Sequence, residues 1–137
     1  MIPAVGDSAA PLQRRIELPD MIAYAGATWD WHRLHYDPEY LASKRVPAPV
    51  VDGQVFGALL AEQIQDWLGP TARLQDLHFR FKNLVFAGEV VACDSTVTTV
   101  AATADGTLVT FESVVHVLGD KERVAVAPAG GSVLLPS

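Results

Sequence analysis

Between positions 28 and 37 the chain reads Thr28-Trp29-Asp30-Trp31-His32-Arg33-Leu34-His35-Tyr36-Asp37. This sets a carboxylate at Asp30 and an imidazole at His35, with four residues between them and aromatic rings on either side. Fully extended, that spacing parts the two side chains by roughly 16 Å, and a turn folds it to contact distance. A carboxylate and an imidazole that converge beside a pocket are able to act as general base and general acid. A solvated loop whose histidine merely packs would contain the same residue types. The surrounding pattern has to separate the two readings.

Residues 1–13, with Pro3, Gly6, Asp7, Ser8 and Pro11, read as a flexible N-terminal arm, and residues 14–18 as a short first strand. Pro19 and Asp20 suit the first turn of a helix. Met21, Ile22, Tyr24 and Ala25 give that helix an apolar stripe as far as about Thr28, where it delivers the Asp30–His35 stretch. Asp37 is a natural N-cap for a second short helix from Pro38. Pro47 and Pro49 keep the next residues extended. Gln54–Leu68 is the longest helical pattern, with Phe56, Leu59, Leu60, Ile64 and Trp67 on one face and the small residues Gly57, Ala58 and Ala61 opposite. Such a helix is expected to be wrapped by other structure.

Beyond Gly69-Pro70 the period changes from helical to alternating. Leu77, Phe79 and Phe81 interleave with His78, Arg80 and Lys82, as in a half-buried strand. Long strands are expected over 90–102 and 107–118, joined at Asp105-Gly106, and a last one over 124–135. Pro128-Ala129-Gly130-Gly131 should interrupt that last strand as a bulge or an edge break. The reading is α+β: one domain over 14–137, in which a helix is followed by an antiparallel meander.

Composition narrows the function classes. Half of the 137 residues are hydrophobic and 19% are charged, which opposes global disorder. A net charge of −6 argues against nucleic acid or an anionic membrane surface as the main partner. The single cysteine, Cys93, lies in an apolar run and excludes an internal disulfide. The first residues lack the charged and apolar regions of a signal peptide, and no apolar run reaches the ~18 residues of a membrane span. A cytoplasmic protein is the expectation.

Asp30-x-x-x-x-His35, then Tyr36-Asp37-Pro38-Glu39-Tyr40, then Pro49-Val50-Val51-Asp52-Gly53 ahead of an apolar helix resembles the MaoC-like acyl dehydratases. These are the (R)-specific enoyl-CoA hydratases of the hotdog fold, and the resemblance runs from about Ile16 to Pro136. His32-Arg33-Leu34-His35-Tyr36-Asp37 is most similar to the branch that acts on hydroxyacyl thioesters, where His-Arg-Ile-His-Tyr-Asp is usual. The resemblance implies an antiparallel sheet around one central helix and hydration or dehydration of an acyl-CoA or acyl-carrier-protein thioester. It implies no cofactor beyond the thioester itself. Asp30 and His35 would share the acid–base work, and Gly53 would offer its backbone N–H to the thioester oxygen. That last role also suits a helix N-terminus on physical grounds. His32, Asp52 and Trp31 are expected near the substrate, and Arg80 and Lys82, with Arg73, are candidates for the CoA phosphates. A homodimer, or a heterodimer with a related hotdog subunit, is expected.

Three positions depart from the family pattern: His32 stands for an asparagine, Asp52 for the histidine before the glycine, and Ala61 for a helix serine. Two other classes therefore stay open. One is a hotdog acyl-CoA thioesterase using Asp52 or Glu62; the other is a non-catalytic partner subunit. Asp30, His32 and His35 also have the look of a metal set. No cysteine joins them and His78 and His116 lie far along the chain, so no metal is expected.

Overall fold

The change of period near residue 70 becomes a change of architecture in the computed structural model, which describes residues 1–137. The elements are β1 (Leu12–Arg15), α1 (Leu18–Thr28), a 3-10 turn (Arg33–His35), α2 (Pro38–Ser43), α3 (Gln54–Leu68), β2 (Arg73–Phe81), β3 (Val90–Thr103), β4 (Gly106–Leu118) and β5 (Arg123–Pro136). The strands form one antiparallel sheet in the order β1-β3-β4-β5-β2. The fold is α+β, a sheet curved around α3 in the hotdog arrangement.

Packing explains why α3 sits where it does. Phe56, Leu59 and the fully buried Leu60 meet Val91, Cys93, Val115, Val117, Ala125 and Val126 from the sheet. Ile64 joins Ala72, Phe111 and Val133 in a second cluster further along the helix. Each such side chain contributes roughly 1.5–3 kcal/mol by leaving water. Wrapping is incomplete, however. Gly57 is buried, and a side chain there would overlap the ring of Phe79, whereas Ala58 is exposed. One strip of α3 therefore faces solvent in the single chain.

A buried polar network ties α3 to the sheet. Gln63 donates through Nε2 to the carbonyls of Ala10 (2.9 Å) and Cys93 (2.8 Å), and its Oε1 accepts from Ser95 Oγ at 2.8 Å. Ser95 and Ser113 hydroxyls meet at 2.6 Å. Burial pushes the Cys93 thiol up to about 12, so it is a packed, unreactive group.

Two expectations shift in detail, and a third resolves to one of its two readings. The first strand lies at Leu12–Arg15 rather than at 14–18, because the Asp20 carboxylate accepts from the Glu17 N–H (2.9 Å) and draws residue 17 into the start of α1. The expected arm is tied along part of its length: Gly6 and Ala9 donate to the carbonyls of Val97 and Ser95, and Val97 donates back to Asp7. The interruption in the last strand is a bulge inside the sheet, since β5 lies between β4 and β2 and is no edge. Pairing jumps from Ala129 to Val126 on β5 while β2 advances from Phe79 to Phe81. Gly130 and Gly131 sit where any side chain would strike the carbonyls of Phe111 and Asp76.

Candidate active site

Local signals build the site. α1 ends at Trp29, whose φ of 59° lies in the left-handed region, and the chain turns back with Asp30 N–H on Ala25 O. His32 then caps the 3-10 turn, its Nδ1 accepting from the Leu34 N–H at 3.0 Å. That turn is stitched to the extended residues ahead of α3 by the Val50 N–H on Leu34 O. Val51 in turn donates to Val85 at 2.8 Å. His35 is thereby set against residues 50–52, and its Nδ1 lies 2.7 Å from the Val50 carbonyl. A carbonyl only accepts, so Nδ1 carries a proton and the working nitrogen is Nε2.

His35 Nε2 lies 4.0 Å from Asp30 Oδ2 and 3.7 Å from Asp52 Oδ2. Asp30 is the open side of the cluster, with 43% of its side chain exposed, against 12% for His35 and 13% for Asp52. One donor atom from each of the three comes within 4.8 Å of the others. That spacing is the chain's nearest approach to a metal-ligating set, but it also suits three groups arranged around protons.

The two carboxyl groups are pushed apart. Burial holds the Asp52 carboxyl above the usual range, with the facing Asp30 carboxylate adding to it. Asp30 is held below the usual range, first by hydrogen bonding from Asp52 and further by the His32 N–H and His35. Tyr24, on α1, is raised by burial and then by Asp52 and Asp30, which puts it beside the same cluster. Two carboxyls with divided proton affinities are what acid–base chemistry at one site requires.

Asp52 also closes the start of α3, its Oδ1 accepting from the Gln54 N–H at 3.0 Å. The adjacent Gly53 N–H has no partner within the chain. Phe81 covers Gly53 so closely that a side chain at 53 would have to displace its ring. The φ of Gly53 is −59°, so the glycine is needed there for space rather than for backbone freedom.

Asp30, His35, Asp52 and Gly53 thus come together. His32 and Trp31 lie alongside, with mainly local contacts: His32 meets the Tyr40 ring edge-on at 5.6 Å, and Trp31 meets Trp29 and Tyr36 at 5.9 and 6.1 Å. Arg80 and Lys82 are exposed at the end of β2 and its exit, in no ion pair. Glu62 is held on the surface by Arg14 at 3.0 Å. Sequence reading missed the roles of Tyr24, which merged into an apolar stripe, and of Phe81, which read as one more inward strand position. Beside Tyr24 a cavity of about 210 Å³ opens between α1 and α3, lined also by Arg14, Arg15, Met21, Val55 and Leu59.

Residues 4–118 match the model of the MaoC like domain. An (R)-hydratase from A. caviae involved in PHA biosynthesis is similar at 27% identity and a TM-score of 0.85, covering 98% of each chain. The ChsH1-ChsH2 complex from Mycobacterium tuberculosis shares the fold at 23% identity and a TM-score of 0.82, over 98% of this chain and 99% of that one. A 3R-hydroxyacyl-ACP dehydratase complex, HadBC, from the same organism shares it at 15% identity and 0.77, over 97% of both. A search of curated proteins finds no match. With the family pattern spanning most of its length and the fold matched end to end, this chain belongs to the MaoC-like family of hydratases and dehydratases.

Proposed function

We propose that the protein interconverts an enoyl thioester and its 3-hydroxyacyl form, with a CoA ester as the substrate. Convergence of Asp30 and His35 beside the free N–H of Gly53 carries this reading. Hydration forms a bond from water oxygen to the β-carbon while a base takes the water proton, and an acid supplies a proton to the α-carbon. Between those events negative charge collects on the thioester oxygen, where a helix N-terminal N–H stabilises it. Asp30, anionic and exposed, fits the base; His35 Nε2 fits the acid; the Gly53 N–H fits the oxyanion donor. Trp31, Arg80 and Lys82 are proposed substrate contacts, the last two for CoA phosphate.

The thioesterase reading is less well supported. Glu62 is engaged by Arg14, and Asp52 is engaged by the Gln54 N–H at the start of α3. Turnover of crotonyl-CoA against release of free thiol from saturated acyl-CoAs separates the readings. Enoyl loss without thiol release is expected, and thiol release without enoyl loss would overturn the proposal.

A second hotdog unit, identical or related, completes the site in this proposal. The cavity is below the ~300 Å³ usual for ligand pockets, and Trp29 and Phe81 stand 80% and 58% exposed near the cluster. The similar structures named above include two-component complexes. Light scattering at micromolar concentration should give a dimer burying over ~1,000 Å² in total, or a monomer that is inactive until a related hotdog is added. A monomer that turns over an enoyl-CoA would defeat the shared site.

A further inference from the structure

Asp52 is the unexplained member of the cluster. It is only 9% exposed, and its Oδ2 is the one buried side-chain oxygen or nitrogen that no N–H or O–H donor of the protein reaches, so it pairs with the Asp30 carboxylate only by carrying a proton itself. An orphaned buried carboxylate oxygen is costly, whereas a carboxylic acid has an O–H to give. Oδ1 is committed to the Gln54 N–H, which leaves Oδ2 as the atom that would carry the proton. Oδ2 lies 3.7 Å from His35 Nε2, and a carboxylate oxygen of Asp52 comes within 4.8 Å of one from Asp30.

We propose that Asp52 is a positioning residue that holds a proton for the Asp30–His35 pair, acting on His35 Nε2 from inside the protein rather than on substrate. The catalytic part of this rests on the hydration reading above; the proton-holding part rests on the geometry alone. The groups that face Asp52 are His35 from the 3-10 turn, Asp30 from the link after α1, Tyr24 from α1 and the first N–H groups of α3 itself. Of the two carboxyls, the buried one takes the shared proton and the exposed Asp30 stays charged, in line with the directions of their pKa values.

Proton balance gives the role its use. With Nδ1 fixed on Val50, a neutral His35 has a bare Nε2 and no proton to deliver. Asp52 supplies one, and His35 Nε2–H then protonates the α-carbon as the enolate electron pair forms the C–H bond. Asp30 has meanwhile taken a proton from the attacking water. Transfer of that proton from Asp30 to the Asp52 carboxylate restores all three groups, and one water has been added overall.

The experiment is an imidazole ¹⁵N NMR titration of the whole protein and of D52N and D52L, with His35 assigned through H35Q. In the parent, His35 should sense an inflection above the ordinary aspartate range, absent from both Asp52 variants. Turnover of crotonyl-CoA should fall about tenfold or more in both D52L and D52N, since neither side chain has a proton to give up at the working pH. The fall of kcat with rising pH should also be missing from D52N. Identical His35 titrations in parent and D52N overturn the proposal, as does equal turnover with Asp, Asn and Leu. If D52L does not fold, the D52N titration decides alone. If the titration is as expected but the parent hydrates no enoyl thioester, the hydration reading fails and the proton-holding role stands.

Discussion

Helix α3 serves two polar clusters, one at each end of its buried face, and they are built on opposite rules. Around Gln63 every polar atom finds a partner: two carbonyls for the amide N–H groups and a hydroxyl for its oxygen, with a second hydroxyl beyond. Around Asp52, eleven residues or roughly 16 Å earlier along the chain, an oxygen is reached by no donor and two carboxyls crowd one imidazole. Full satisfaction rigidifies a core and leaves nothing free to react. Incomplete satisfaction stores a proton and an affinity for whatever enters. The difference marks one cluster as the fastening of the fold and the other as the place proposed for its chemistry.

The strongest way to break this comparison is to remove the acid–base pair. Asp30→Asn and His35→Ala should each lower enoyl-CoA hydration by at least ~100-fold, the scale of general acid–base catalysis, while circular dichroism and melting stay near the parent's. Parent-like turnover in both would return the cluster to the class of ordinary packed polar groups.

Gln63→Ala tests the other side. It takes a donor from the Ala10 and Cys93 carbonyls and an acceptor from Ser95, which keeps only Ser113, and should lower stability by about 2–3 kcal/mol in urea unfolding. Turnover per folded molecule should remain within about twofold, since Gln63 touches none of the site groups. Loss of turnover with stability unchanged would erase the distinction between the two clusters.

The smallest effect sharpens it. Asp52 binds its proton more tightly when folded, so its contribution to stability is fully present below its ordinary pKa of 3.8 and is lost as pH rises through the raised folded value. Asp30 has the opposite sign: its contribution is present above 3.8 and is lost as pH falls through its lowered value. Asp52→Asn keeps the cap on Gln54 and should change stability by ~1 kcal/mol or less. Relative to the parent, the variant should be more stable at pH 7 than at pH 4, as read from urea midpoints at the two values. A difference independent of pH would mean that Asp52 does not hold a proton.

Much of the fold was legible because it rests on local periodicity. The limits of α3 at Gln54–Leu68, the Asp37 cap of α2 and the long strands follow from spacing, and each has the residues that spacing demands. Asp30 and His35 were legible as a pair because one short turn connects them. The place of β5 inside the sheet was legible only in part, since a Pro-Ala-Gly-Gly stretch reads equally as a bulge or an edge break until both neighbouring backbones are present. The character of Asp52 was not legible. Its residue type is in the sequence, but the proton affinity of a carboxyl is set by burial and by charges brought from elsewhere in the chain. Tyr24, Asp30 and His35 reach it only when α1 and the 3-10 turn fold back onto the start of α3. The sequence by itself determined which groups were available and which elements would carry them. Only the tertiary structure decided which carboxyl is pushed toward its protonated form and which toward its charged form, because desolvation and Coulomb interaction depend on distance through space and not along the chain.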